Sequence, residues 1–214
     1  MMRRFPVAML LWCLPAAGVV IDRIAVIVDK HVIKASDVDR DVRVTEFLNR
    51  DPLNLNAETR KKAAERLIDQ TVIREEMEKG GYTQSGDAEA DGMMKRLLAS
   101  RFGGSDARVQ QELARYGLTE SQLKLQLHWQ ADVLKFLDQR FRPGVIVSDQ
   151  DVQDYYNQHK AELARQFPQL KTFDAVAPKI RASLEGDRLN QNFEQWLAAA
   201  RKRDRIVYRQ EALQ

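Results

Sequence analysis

Cysteine is almost missing: Cys13 is the one cysteine in 214 residues, and it lies in a stretch expected to be removed. A mature chain without it has no disulfide, no thiol chemistry and no thiolate metal site. Long apolar runs are lacking too. Residues 7–14 form an apolar run far shorter than the roughly 20 residues a spanning helix needs, so no membrane span is expected. Charge of one sign is also scarce, since 34 Lys and Arg stand against 31 Asp and Glu, a formal +3. Charged residues make up 30% of the chain with both signs interspersed, which fits solvated helix faces and argues against nucleic acid as a partner. No internal repeat, low-complexity tract or long linker divides the chain.

What is present begins with an export signal. Arg3 and Arg4 give a positive start, the apolar run sits between Pro6 and Pro15, and Ala16-Ala17-Gly18 offers small residues for cleavage. The expected cut falls before Val19, giving a signal peptide over residues 1–18 and a soluble, exported chain over 19–214. Losing Arg3 and Arg4 lowers the formal charge by two, to +1. The bulky Trp12 before Cys13 disfavours a lipid anchor.

The expected fold class is mainly α, with a small sheet built from both ends of the chain. Residues 20–28 (VIDRIAVIV) read as a strand, Asp29-Lys30 as a tight turn, and His31-Val32-Ile33 as a return strand. Ser36 is expected to cap a first helix running to about Asn49, with Val38, Val42, Thr45 and Leu48 on one face. A second helix is expected over 57–79, capped by Asn56 and closed by Gly80-Gly81. Ser85 is expected to open a third helix, with Ala90, Met93, Met94, Leu97, Leu98 and Phe102 inward, and Ser105 a short fourth carrying Val109, Leu113 and Tyr116.

Thr119 is expected to cap a long helix through Leu123, Leu127, Leu134, Leu137 and Phe141. Because Leu125, Trp129, Val133 and Phe136 lie off that stripe, this helix should be central, with neighbours on both sides. Ser148 is expected to cap a helix whose Val152, Tyr155, Tyr156, His159 and Leu163 share a face. The last helical region begins at Thr172 or Asp174, and Pro178 and Gly186 suggest a kink or break within it. Residues 205–209 (RIVYR) read as the closing strand.

The order of these pieces carries a resemblance. VIDRIAVIV, the Ser-Asp-Val at Ser36, VSDQDVQDYY over 147–156, TFDAVAPKIR over 172–181 and the RIVYR tail together resemble the SurA-type periplasmic chaperones. The resemblance covers nearly the whole mature chain and implies a helical N-terminal lobe, here 19–147, with C-terminal helices and a closing strand, here 148–214, packing back on it. It also implies parvulin-type prolyl isomerase domains between the helix at Ser148 and the one near Thr172. Only residues 164–171 join those helices, far fewer than the roughly 50 a domain needs. The chain thus resembles the chaperone core alone, without that enzyme domain.

Catalytic motifs find no anchor. His31, His128 and His159 stand apart with no partner at ligand spacing, so neither a metal nor another cofactor is expected. The Gly-Gly pairs follow helices, where they act as caps, and do not precede one as a phosphate cradle would. The adaptable apolar side chains are more telling, because methionine and aromatic groups grip unfolded segments without a fixed code. Met93, Met94, Leu97, Phe102, Tyr116, Trp129 and Phe136 are the candidate client-binding residues, on a groove between the third helix and the long one. For each, the core is the competing reading. The expected function is an ATP-independent exported holdase for unfolded polypeptides, with outer-membrane β-barrel proteins as the clients the resemblance implies. An adaptor for one folded partner is the alternative, and an isomerase ranks third.

Overall fold

The computed structural model describes residues 22–170 and 172–214. The expected signal peptide, its cleavage point, and Val20 and Ile21 of the expected strand lie outside the described residues. β1 (Ile24–Val28) and β2 (His31–Lys34) form a hairpin through Asp29, whose φ of 50° meets the turn's demand for a left-handed residue. β3 (Ile206–Tyr208) pairs antiparallel with the other edge of β1, aligning Val26 with Tyr208 and Val28 with Ile206. The sheet order β2-β1-β3 thus puts the C-terminal strand beside the N-terminal one, as their strand character led us to expect.

Seven α-helices are described: α1 (Ala35–Asn49), α2 (Ala57–Gly80), α3 (Asp87–Phe102), α4 (Asp106–Tyr116), α5 (Glu120–Arg140), α6 (Asp149–Gln166) and α7 (Phe173–Arg201). Their apolar side chains fill three clusters. The first joins the inner sheet face to α2, the C-terminal halves of α5 and α7, and Leu213, through Val26, Ile68, Phe136 and Leu197. In the second, Val44 and Phe47 of α1 meet Met94, Leu113, Leu123 and Leu127. The third lies within the α6–α7 hairpin, around Val152, Leu163, Val176 and Ile180. α1 serves two clusters because Val38 and Val42 lie on one face and Val44 and Phe47 on another. α5 does the same along its length.

Several local expectations need correction. Ser36 does not cap α1, which starts after Lys34; its hydroxyl donates to Asp22. Ser85 does not cap α3, whose cap position is Gly86; Ser85 is drawn inward by Asp132. Leu134 is 61% exposed and Leu125 70%, so α5 is covered on fewer faces than its apolar residues suggested. The last helix runs unbroken through Pro178 and Gly186, and the irregularity falls in α6 at His159, with φ −117° and ψ 19°.

Candidate functional site

α1 separates two concave regions. The first is a cleft of about 320 Å³ walled by α1, α2 and α5. Trp129 forms its floor at 8% exposure, with Val44 and Leu67 beside it, and Leu125, one turn before Trp129, stands at its lip largely in solvent. The i, i+4 spacing on α5 places Leu125 and Trp129 on one face. Gln70 and Gln126 supply amide donors and acceptors along the walls, which suits an extended backbone.

Charge frames this cleft. The Arg74 guanidinium lies 4.5 Å above the Trp129 ring, a cation–π contact that fixes the indole. Buried Asp41 accepts from Arg66 Nε at 2.8 Å and Nη2 at 2.5 Å. Burial pushes the Asp41 carboxyl above its ordinary value, against the pull of Arg66. The pair ties α1 to α2 and holds one wall in register with the other.

The second region is a pocket of about 460 Å³ where α1 ends against α3 and α4. Phe47, Phe102 and Tyr116 give it an aromatic lining, with Phe47 and Tyr116 packed edge to face at 5.6 Å. Tyr116 is held by its hydroxyl, which donates to Asp51 O at 2.8 Å.

The seven sequence candidates do not share one groove. Met93, Met94, Leu97, Phe102 and Tyr116 belong to the second cluster, whereas Trp129 and Phe136 belong to the first. α3 packs directly on α5. Met94 is buried and Met93 half-buried, so the adjacent methionines split as a narrow stripe requires. Phe136 is fully buried, ringed by Tyr82, Phe141 and Trp196. Of the seven, Trp129 opens on the cleft and Phe102 and Tyr116 on the pocket. Sequence reasoning missed Leu125 as a lip residue and Arg74 as its neighbour; the i, i+4 Leu125–Trp129 pair was the available signal.

One polar constellation has the residue types of a hydrolase. Asp132 Oδ1 accepts from the Ser85 amide and hydroxyl, each at 2.6 Å, and His128 Nδ1 lies 3.2 Å from Asp132 Oδ2. A nucleophilic triad needs the imidazole between serine and carboxylate. Here one ring nitrogen, His128 Nδ1, faces both groups, with Ser85 Oγ 3.5 Å away, and buried Ser85 gives its proton to the carboxylate at 2.6 Å, so the group ties the start of α3 to α5. Among the described residues no three His, Cys, Asp or Glu side chains converge as a metal site would. No described helix is long and apolar enough to cross a membrane. No family model matches the chain, and no curated protein matches it.

Proposed function

We propose that the protein is an exported, ATP-independent chaperone that holds unfolded polypeptides, outer-membrane β-barrel proteins among them, in the cleft between α1, α2 and α5. The observation that carries this reading is Leu125, 70% exposed, beside Trp129 at the mouth of a cleft lined with amides. An exposed leucine next to a buried indole offers apolar area to a passing segment, while glutamine side chains can satisfy whatever backbone it brings. The likeness of the motif order to the SurA-type chaperones supports the same reading. Residues 167–172 alone join α6 to α7, which leaves no room for a prolyl isomerase domain between them.

The test is suppression of aggregation when unrelated denatured proteins, including a urea-unfolded β-barrel, are diluted into buffer. The parent should suppress it, and Leu125→Ser should do so several-fold less well. Because Leu125 is largely in solvent, its replacement should leave stability within about 0.5 kcal/mol. Unchanged suppression by Leu125→Ser would move the client site away from the cleft. A protein that ignores denatured chains and co-purifies with one folded partner would be an adaptor instead.

A further inference from the structure

We propose that the pocket where α1 ends against α3 and α4 binds the free C-terminal carboxylate of a polypeptide whose last residue is aromatic or large and apolar. The proposal rests on the polypeptide-binding reading and names a recognition element that the cleft does not supply.

Charge is the first argument. Arg50, Arg101 and Arg115 line the pocket, with Glu112 the one acid among its lining residues. Glu112 is already paired with Arg115, whose Nη1 lies 2.8 Å from Oε2. Arg101 donates to the last carbonyls of α1, Phe47 O at 2.6 Å and Leu48 O, so it satisfies a helix end without meeting a carboxylate. Among the described residues the Arg50 side chain makes no hydrogen bond or ion pair. Burial, and then the neighbouring charge of Arg50, hold the Arg101 guanidinium below its ordinary value. An anion set between Arg50 and Arg101 relieves that repulsion.

Backbone conformation is the second argument. Arg50 ends α1 with φ 67°, in the left-handed region where a side chain other than glycine costs roughly 1–2 kcal/mol. α2, α3 and α4 end on Gly81, Gly103 and Gly117 in the same conformation. An arginine kept at a position suited to glycine points to use of its side chain.

The kind of anion follows from the walls. Half-buried Phe102 presents ring area next to the guanidinia, with the largely buried Phe47 and Tyr116 beside it, so the ligand carries an apolar group within a few bonds of its charge. The last residue of a chain combines a carboxylate and a side chain on one carbon. A volume of about 460 Å³ is at the small end of ligand sites and suits one or two residues. Planar guanidinium forks match a carboxylate in two-point hydrogen bonding.

The experiment uses the full protein and fluorescein-labelled peptides of one sequence: ending in phenylalanine as the free acid, ending in phenylalanine as the amide, and ending in serine as the free acid. Anisotropy should show the phenylalanine acid bound about tenfold more tightly than either of the others, with the preference shrinking as salt rises. Arg50→Gly removes the guanidinium at a site whose backbone favours glycine. It should melt no lower than the parent and yet abolish the preference for acid over amide. Leu125→Ser should leave that preference intact. Equal binding of acid and amide, no binding of the acid peptide, or a preference unmoved by Arg50→Gly would each overturn the proposal. Aggregation suppression by the same preparation reports separately on the wider reading, because it does not require a free chain end.

Discussion

Gly117 shows how one residue sets the geometry beside the pocket. It ends α4 with φ +62°, and a Cβ built there would lie 2.6 Å from Arg43 Nη1. That guanidinium donates to Tyr116 O at 2.8 Å, tying α1 to the end of α4. Gly117→Ala therefore meets both the left-handed penalty and the displacement of Arg43, against a smaller gain from a stiffer unfolded chain. The expected loss is about 1 kcal/mol, read as a lower urea midpoint at an unchanged slope. Gly117 was legible as a helix stop from sequence, because a left-handed cap is a local demand. Arg50 at the same kind of position was not, since nothing local asks for arginine there, and with it the basic side of the pocket went unseen.

At the scale of elements, the helix starts that depend on neighbouring residues were the most legible. Asn56 accepts from Thr59 N, Thr119 and Gln122 form a reciprocal capping box, and Ser148 does the same with Asp151. Ser36 and Ser85 look the same in sequence, but distant carboxylates, Asp22 and Asp132, compete for their hydroxyls. The Ser148 box also predicts a pH response. Hydrogen bonds from the Ser148 side chain and from Arg188 hold Asp151 down at about 2, from an ordinary 3.8. A carboxyl lowered on folding contributes stability above its unfolded value, and that contribution is lost as pH falls through the folded value. Asp151→Asn should therefore melt below the parent near neutrality, and the gap should narrow between about pH 4 and pH 2. A gap independent of pH in thermal melts would assign the effect to packing. Helix faces were less legible than helix ends. α5 has leucines on all sides, and which of them are covered depends on where α1, α2 and α3 pack, so Leu123 is buried while Leu125 and Leu134 are left in solvent.

At the scale of the molecule, the fold closes through its termini, because the last ten residues add a strand to the sheet and bury Ala212 and Leu213 in the first cluster. β3 aligns with β1, the Asp29 amide donates to Arg205 O at 2.9 Å, and the Arg209 amide donates to Ala25 O at 2.8 Å. Tyr208 reaches α2, its hydroxyl donating to Glu65 at 2.7 Å, and Leu213 is 1% exposed in the first cluster. The strand was readable from its β-branched run, but Leu213 was not, because an isolated leucine near a chain end has no period to mark it as core. Removing residues 205–214 leaves one edge of β1 unpaired and opens a void where Leu213 sat. Losing a fully buried leucine alone typically costs about 2–5 kcal/mol, a large share of the roughly 5–15 kcal/mol that holds a domain together. The truncated chain should melt far below the parent, with β1 and α2 amides the first to lose protection from hydrogen exchange. The α6–α7 hairpin should keep more of its protection, since its cluster around Val152, Leu163, Val176 and Ile180 takes nothing from the sheet. Leu213→Ala separates the two contributions, because it keeps the β1–β3 pairing and removes only the packing. A truncated chain with an unchanged melting temperature would show that the sheet does not tie the ends of the chain into the core.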